Sequence, residues 1–213
     1  MYIQGSIGYE KNSFSSASLT ETYLYNQLSD TASSPGSIAG TSAPVYFGAG
    51  YYFEIIPNFF LGLGMDYSPL SNSTKTLTGA YSGIDSGTTE SWKYNLKNRY
   101  SFYAMPAIKI SENLMGYFKL GYSKQSVSLV SQGAYSYSGQ TIASSTMNGE
   151  VFGVGIRYMV NGNIYVYAEG NLYQYSKVNL SGNVNSTGYG IINMTISPSS
   201  STRNGLIGFG YRF

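Results

Sequence analysis

The amino-acid sequence predicts an all-β protein, a transmembrane antiparallel up-and-down β-barrel of eight strands with four long extracellular loops and three short periplasmic turns. Eight segments alternate between apolar and polar residues, as strands do when their two faces meet different environments. Charged residues make up only 10% of the 213 residues, against roughly 25% in an ordinary soluble domain. No segment approaches the ~20 consecutive apolar residues of a membrane helix, so the composition favours strands that cross a membrane.

The first half of the chain holds four of the alternating segments. The second and third are joined by a tight turn at Ile55–Asn58, where Pro57 and Asn58 are residues that favour turns. Pro106 lies within the fourth segment and removes one ladder hydrogen bond. We expect only a local irregularity there, because the alternation continues on both sides. The four segments cover approximately residues 2–10, 44–54, 59–68 and 92–110.

The second half holds four more segments, and two further tight turns connect them. These turns are Ser111–Asn113 and Asn161–Asn163, the latter with the Asn-Gly pair typical of hairpins. In the last segment Ile207, Phe209, Tyr211 and Phe213 share one face, while the other carries glycines and Arg212. The segments cover approximately residues 114–123, 149–160, 164–175 and 205–213.

Long connections alternate with the short turns, and they are rich in Ser, Thr, Asn and Gly. They span approximately residues 11–43, 69–91, 124–148 and 176–202. Short turns on one side and long loops on the other are typical of outer-membrane barrels. An even number of strands places both termini on the periplasmic side. We therefore interpret residues 1–213 as a single barrel domain.

Parts of these loops carry patterns of their own. In the first loop, Ser18-Leu-Thr-Glu21 forms a possible capping box, which allows either a short amphipathic helix or an ordinary loop. The third and fourth loops keep some alternation, so strands are expected to extend beyond the membrane as hairpins. The alternating residues are Val127 and Leu129, Tyr135 and Tyr137, and Ile192, Met194 and Ile196.

Charged residues are segregated to one row of each segment. An eight-stranded barrel is filled by side chains, and opposite charges buried there must pair or bear a desolvation cost. We therefore predict a polar lumen, with Glu169, Arg157, Lys119 and Arg212 in its periplasmic half. A gated ion path through the same groups is the alternative. The predicted inward charges are Glu10, Glu54, Asp66, Arg99, Lys109, Lys119, Arg157, Glu169 and Arg212, while Lys124, Glu150 and Arg203 lie on the other row, near outer strand ends.

Aromatic residues concentrate near the ends of the segments, as expected of the two girdles that anchor a barrel at the membrane interfaces. The outer girdle is predicted to contain Tyr9, Tyr67, Trp92 and Tyr122, and the inner girdle Phe53, Phe59, Tyr158 and Phe213.

The last strand, with Phe209, Tyr211 and a terminal Phe213, resembles the C-terminal signature of bacterial outer-membrane proteins that the barrel-assembly machinery recognises. As architecture, the whole chain resembles the small eight-stranded outer-membrane barrels, namely the OmpA membrane domain, OmpX and the opacity-type surface proteins. The resemblance implies insertion by that machinery and contact with outer-membrane lipid and lipopolysaccharide. It also implies a role at the cell surface, and it transfers no binding residue because the loops match no motif.

Catalysis is not expected from this composition, since the chain contains neither histidine nor cysteine. The lipid A palmitoyltransferases and deacylases, phospholipases and omptin proteases of outer membranes all depend on a catalytic histidine. The same absences leave no transition-metal site, and we predict no catalytic, cofactor-binding or metal-binding residue. Asp85 and Glu90 are expected to be solvated loop acids. A net charge of +2 implies no nucleic-acid partner.

The sequence therefore favours a monomeric outer-membrane protein in its mature form, after removal of a signal peptide. Its extracellular loops are predicted to bind a host or matrix macromolecule, in the manner of an adhesin. A narrow, porin-like pore or small-solute channel is the alternative. Nothing in the sequence identifies the ligand.

Overall fold

The structure of the chain is a computed structural model that describes residues 1–34, 36–83, 85–133, 138–188 and 190–213. Within these ranges no helix is long and apolar enough to span a membrane, and fifteen strands form one antiparallel sheet. The strands are β1 Tyr2–Phe14, β2 Ser18–Tyr23, β3 Leu28–Ser33, β4 Ile38–Ser42, β5 Val45–Ile56, β6 Phe59–Ser68, β7 Asn72–Ser73, β8 Leu77–Ser82, β9 Thr89–Lys109, β10 Leu114–Ser131, β11 Thr141–Met159, β12 Ile164–Tyr175, β13 Leu180–Ser186, β14 Gly190–Ile196 and β15 Ser200–Arg212.

The long strands pair in a path that returns to its starting point. From β1 the antiparallel pairings run to β5, β6 and β9, then to β10, β11 and β12. Strand β12 pairs with β15, and β15 pairs with β1 along its whole length, from Tyr2↔Arg212 to Phe14↔Ser200. The sheet therefore encloses a space, which we call the lumen, and alternate residues of each strand point into it.

The three short turns and both chain ends lie at one end of the lumen, which we call the turn end; the opposite end is the loop end. The turns join β5 to β6, β9 to β10 and β11 to β12. Asn58 adopts a positive φ of 67° in the first, a conformation that asparagine tolerates better than most residues. The backbone N–H of Phe213 donates to Met1 O at 3.0 Å, so the two chain ends meet.

Most of the residues assigned to long connections form strands. This corrects the interpretation of residues 11–43 and 69–91, whereas the strands within 124–148 and 176–202 agree with the hairpins expected there. Strands β2, β3 and β4 lie within residues 11–43, β7 and β8 within 69–91, and β13 and β14 within 176–202. The possible helix at Ser18–Glu21 is part of β2 instead. There Leu19, Glu21 and Tyr23 are buried and alternate with outward Thr20 and Thr22. Threonine is a good strand former, so a Thr-rich segment with this alternation favours a strand over a loop.

These additional strands build an outer sheet beyond the lumen. We define the outer sheet as β2, β3, β8, β13 and β14 with the loop-end portions of β9, β10 and β11. From β9 the pairings run through β8, β3, β2 and β14 to β13. Strand β13 in turn lies close against β11. At their contact, a Cβ added at Gly182 would be only 1.9 Å from Ile142 O. The predicted alternation at Tyr135 and Tyr137 falls outside the described residues.

A bulge at Asn98 exchanges the two faces of β9. Gln125 of β10 pairs with Arg99, but the next pair is Ser126↔Lys97, and the skipped Asn98 has a positive φ of 52°. An extra residue of this kind reverses which residues point inward. Trp92 is consequently fully buried inside the outer sheet, and its assignment to the outer aromatic girdle was wrong.

Pro106 causes a smaller irregularity. The β9–β10 register resumes across it, from Tyr117↔Ala107 to Leu120↔Ala104, while Pro106 itself pairs with Leu61 on the other side. The strand continues through the proline because the ladder to β6 is retained. This matches the local irregularity expected from the sequence.

Two apolar cores fill the ends of the enclosed space, and a polar layer lies between them. The turn-end core contains tyrosines, Met105 and Ala107. The loop-end core fills the outer sheet and is larger. Its main members include Phe14, Leu19, Tyr23, Trp92, Tyr94, Leu96, Val127, Leu129, Met147, Tyr173, Leu180, Ile192 and Met194.

Gly121 marks a place where neighbouring strands approach too closely for a side chain. A Cβ there would lie 2.1 Å from Phe102 O and 2.6 Å from the Cβ of Tyr103, so Gly121→Ala must displace backbone. We expect a loss of about 1–3 kcal/mol in unfolding free energy, measured by urea titration of the refolded protein. Gly205 is the matched control, because no atom lies within 4 Å of an added Cβ, and Gly205→Ala should change stability by less than about 0.5 kcal/mol. Equal losses in both variants would contradict this packing.

Candidate functional site in the lumen and the outer sheet

The predicted inward charges separate into two groups in the structure. Glu54, Lys109 and Arg212 lie exposed at the turn end, beyond the enclosed rows of the lumen, so water reaches them. Arg212 does not join a buried cluster, contrary to expectation, and its Nη2 donates to Gly162 O at 2.9 Å. Six others are buried: Glu10, Asp66, Arg99, Lys119, Arg157 and Glu169.

Arg99 and Glu10 form an ion pair toward the loop end of the polar layer. The guanidinium of Arg99 also donates to the hydroxyl of Tyr46 and, at 2.9 Å, to Gln125 Oε1. Its Cζ lies 4.5 Å from the ring centre of Tyr173. Strands β1, β5, β9, β10 and β12 all contribute to this cluster, so it ties together most of the wall of the lumen.

Lys119 lies nearer the middle of the lumen, between two carboxylates. Its Nζ donates to Asp66 Oδ2 at 2.6 Å and to Glu169 Oε1 at 3.0 Å. It also lies 4.1 Å from the ring centre of Tyr103. With two acids and one base, this cluster carries one excess negative charge.

Neutral polar side chains join the two clusters. Asn171 Nδ2 donates to Glu169 Oε1 at 2.8 Å and to Asn204 Oδ1 at 2.9 Å. Asn204 Nδ2 in turn donates to the hydroxyl of Tyr46 at 3.0 Å, which itself donates to Glu10 Oε2 at 3.1 Å. These neutral residues were not among the site residues predicted from the sequence, although their inward position in the alternation was a usable signal.

Arg157 is the buried base nearest the turn end, and aromatic rings surround it. Its Cζ lies 4.1 Å from the ring centre of Tyr165, 4.6 Å from Tyr2, 5.1 Å from Tyr52 and 5.7 Å from Tyr117. Among the residues that the structure describes, no ion pair involves it. The structure therefore does not bring Arg157 into the carboxylate cluster of Lys119.

The outward face of the outer sheet is an ordered array of hydroxyl and amide groups. Thr20 lies opposite Thr31 on one side and Thr195 on the other. Cross-strand hydrogen bonds fix many of these groups, for example Ser181 Oγ to Thr195 Oγ1 at 3.0 Å and Asn193 Nδ2 to Asn183 Oδ1 at 2.8 Å. Such pairs stabilise a sheet.

An apolar tip borders this polar array at its outermost edge. Tyr25 is 67% exposed, and Leu24, Leu28 and Ile191 are also exposed. The backbone N–H of Leu24 donates to Ile191 O at 3.1 Å, which holds the β2–β3 hairpin against β14. These four residues form a single patch, which we call the tip.

Acidic side chains lie inside the outer sheet, where the sequence predicted solvated loop acids. Glu90 is fully buried, which corrects that expectation, and burial raises its pKa to about 6. Glu21 and Asp30 are also buried and lie opposite each other on β2 and β3. Asp85 is half-buried and accepts a hydrogen bond from Tyr23 Oη at 2.6 Å. Nevertheless, the described residues contain no group of three or more acids, histidines or cysteines arranged to hold a metal ion.

The residues of the predicted assembly signal point away from the lumen. Phe209 is 70% exposed, and Tyr211 and Phe213 are also exposed. They continue a belt of apolar side chains that surrounds the outside of the long strands. The belt includes Ile7, Phe47, Leu63, Met65, Phe102, Phe118, Leu120, Val154, Ile156, Val166 and Ile207, all exposed in the isolated chain.

Solved structures of outer-membrane proteins share this fold. The outer membrane protease OmpT from Escherichia coli matches with a TM-score of 0.55 and 12% identity, covering 100% of this chain and 97% of that chain. The outer membrane protein OprG from Pseudomonas aeruginosa matches with a TM-score of 0.53 and 12% identity, covering 100% of this chain and 95% of that chain. The fold is that of outer-membrane β-barrel proteins. Ail, the attachment invasion locus protein of Yersinia pestis, matches at a TM-score of 0.45 and 14% identity, covering 100% of this chain and 98% of that chain.

At the level of sequence, no protein-family model matches the chain. A comparison with curated proteins finds no match either. Identities of 12% to solved structures carry information on fold alone, so function has to be argued from the residues of this chain.

Glu21 makes the outer sheet sensitive to pH. Its pKa is raised to about 7, mainly by burial; the hydrogen bond from Tyr81 at 2.5 Å lowers the pKa, and the neighbouring carboxylates of Glu90, Asp30 and Asp85 raise it. Below about pH 4.5 the carboxyl is protonated whether the sheet is folded or unfolded. As the pH rises toward 7, only the unfolded state loses the proton, so the folded sheet loses stability, by on the order of 3 kcal/mol.

Hydrogen exchange of residues 18–33, corrected for the intrinsic rate, should therefore be faster at pH 8 than at pH 5. Glu21→Gln should remove most of this difference, because the amide does not ionise. Glu150 is exposed on β11, so Glu150→Gln should leave the pH dependence intact. Protection that is unchanged between pH 5 and pH 8 in the wild type would contradict the assignment.

Proposed function

We propose that this protein is a monomeric bacterial outer-membrane protein with an adhesive role at the cell surface. In this proposal the closed path of eight long strands is a transmembrane barrel of the OmpA, OmpX and opacity type, and the outer sheet stands outside the cell. The tip of the outer sheet, with the polar groups of β2, β3, β13 and β14 around it, binds a host or matrix macromolecule, and the lumen is a packed structural core.

The apolar belt is the main support for a transmembrane position. Its side chains are large, contiguous and exposed, and Phe118 and Phe209 reach 63% and 70% exposure. Soluble monomers rarely expose apolar patches larger than a few hundred Å². The buried charges lie on the opposite face of the same strands, as required where one face meets hydrocarbon. Phe209, Tyr211 and Phe213 continue this belt, and we propose that they form the assembly signal.

The outer sheet is the observation that carries the adhesive role. It is an ordered structure with its own apolar core, so it presents a fixed surface to its surroundings. The tip adds an exposed tyrosine and three aliphatic residues, and aromatic residues in such positions supply much of the binding energy of protein interfaces. The hydroxyl and amide array around the tip supplies the polar rim.

A narrow pore is the second candidate, and the lumen argues against it. An ion entering from the turn end would meet the cluster of Lys119, Asp66 and Glu169, whose groups are paired at 2.6–3.0 Å. Beyond the polar layer the loop-end core contains buried apolar side chains such as Trp92, Leu96 and Leu129. A path for ions would require both layers to rearrange. The chain also lacks histidine and cysteine, which supports a non-catalytic role.

The transmembrane position can be tested with Val154→Arg. Val154 is 57% exposed in the middle of the belt, and arginine at the bilayer midplane costs about 2–4 kcal/mol on the lipid face of a barrel. Urea unfolding in lipid vesicles measures the loss. Thr146→Arg is the matched control, since Thr146 is exposed on the same strand near the loop end and should cost less than about 1 kcal/mol. Similar losses of unfolding free energy in the two variants would argue that the belt does not face lipid.

The adhesive role can be tested with two charged substitutions in the tip. Tyr25→Asp with Leu28→Asp should reduce adhesion of cells displaying the protein to matrix-coated surfaces by roughly tenfold or more. Both residues are exposed turn or strand-end positions, so folding should be retained. Ser144→Asp with Thr146→Asp places the same charge on exposed positions of β11 and should leave adhesion unchanged. Adhesion that survives the tip substitutions would exclude the tip as the binding surface.

Planar-bilayer recording separates the packed lumen from a pore. We expect no stable single-channel conductance from the refolded protein, because paired charges and an apolar core fill the path. Stable conductance that changes when Glu169→Gln removes one charge of the Lys119 cluster would establish a pore through the lumen instead. Only refolded protein that shows the heat-modifiable gel migration of a barrel should be used, both for the wild type and for Glu169→Gln.

A further inference from the structure

The lumen opens at the turn end into a cavity of about 690 Å³, which we call the vestibule. This volume is in the range of pockets that hold small molecules. Its lining includes Tyr52, Phe60, Met115 and Met159, side chains that pack on the turn-end core yet remain partly exposed. The walls of the vestibule therefore combine these apolar side chains with polar and charged ones.

Arg157 also lines the vestibule, and its hydrogen-bonding capacity is mostly unused by the protein. The side chain is buried, at 5% exposure. Its Nη2 donates to Gln4 Oε1 at 3.0 Å, whereas its buried Nε has no partner among the described residues. A guanidinium has five N–H donors, and buried donors without acceptors are unfavourable.

The tyrosine rings around Arg157 do not accept hydrogen bonds from its guanidinium as an anion would. A cation–π contact engages the face of a guanidinium, but its N–H groups point outward in the plane of the group. Gln4 Oε1 accepts one of these hydrogen bonds and also one from the hydroxyl of Tyr165 at 3.0 Å. An acceptor with two oxygens in the guanidinium plane, such as a carboxylate, would complete the arrangement.

The excess negative charge of the Lys119 cluster cannot serve as that acceptor. Tyr117 lies between the two, with its ring centre 5.7 Å from the Cζ of Arg157 and its hydroxyl donating to Glu169 Oε2 at 2.9 Å. The other oxygen of Glu169 accepts from Lys119 and Asn171. The carboxylate is thus already hydrogen-bonded and separated from the vestibule.

The rim of the vestibule does not favour either sign of charge. Lys109 and Arg212 contribute two positive charges there, and Glu54 and Glu112 contribute two negative charges. Because these cancel, the buried guanidinium of Arg157 determines which ligands the vestibule attracts.

We propose that the vestibule binds a small organic anion that combines a carboxylate with a flat apolar body. The guanidinium of Arg157 binds the carboxylate through two parallel hydrogen bonds, and the apolar body packs against Tyr52, Phe60, Met115 and Met159. The site lies at the opposite end of the molecule from the outer sheet, so it is a second binding function independent of adhesion.

Benzoate and benzamide are suitable probes, since they share shape and size and differ in charge. The chain contains seven methionines, and methyl NMR of the refolded protein can follow Met115 and Met159 in the vestibule. Met147 and Met194, buried in the loop-end core, are internal controls. We expect benzoate to shift the first two resonances saturably, with an affinity at least roughly tenfold higher than that of benzamide, and to leave the other two unchanged.

Two variants locate the charge that is responsible. Arg157→Gln should remove the preference for benzoate, whereas Lys124→Gln, which removes an exposed positive charge on β10 outside the vestibule, should retain it. If Arg157→Gln does not fold, Met159→Trp keeps the guanidinium but fills the vestibule, and it should weaken both probes. Equal affinities of the two probes for the wild-type protein, or no shift at Met115 and Met159, would overturn the proposal, whatever the outcome of the adhesion assay.

Discussion

A charged side chain removed from water costs several kcal/mol unless it is paired and hydrogen-bonded, and the lumen encloses six such groups. Most of these groups are paired: Arg99 forms an ion pair with Glu10, and Lys119 forms ion pairs with both Asp66 and Glu169. Each pair joins strands that are distant in the sequence. The wall of the lumen must therefore be closed for its charges to be satisfied, and the closed wall in turn keeps water away from them. Arg157 alone lacks a carboxylate partner among the described residues, and it lies where the lumen opens.

The polar layer also separates two environments along the same strands. Around the polar layer itself the walls carry the apolar belt outside and paired charges inside, which inverts the arrangement of a soluble protein. On its loop-end side the outer sheet has an apolar interior and a hydroxyl-rich exterior, as a soluble β-sheet protein does. The molecule therefore combines a part with an apolar exterior and a part with a polar exterior in continuous strands, and each part has its own candidate binding surface.

The sequence carries much of this architecture, because alternation with a period of two reports which face each residue occupies. That is why the positions of Glu10, Asp66, Lys119 and Glu169 on one face could be inferred without a structure. Alternation does not indicate how far along the lumen a residue lies. It therefore did not separate Glu54 and Lys109, exposed at the turn end, from the buried charges. The Thr- and Ser-rich segments were interpreted as loops, since composition outweighed the alternation of Leu19, Glu21 and Tyr23. Pairing across long sequence distances, which builds the outer sheet, leaves no local signal.

The bulge at Asn98 has a consequence for how this chain can change over evolution. Loss of that single residue would turn Trp92, Tyr94 and Leu96 toward solvent and would bring Lys93 and Lys97 into the loop-end core. Many substitutions at position 98 would disturb the fold less than a deletion. The number of residues in β9 decides which side chains point inward, and the identity of the side chain at position 98 does not. The number of residues at this point of β9 is therefore more tightly constrained than the side chain at position 98. The same site offers protein engineers a natural junction at which a different outer sheet can be joined to the long strands that enclose the lumen.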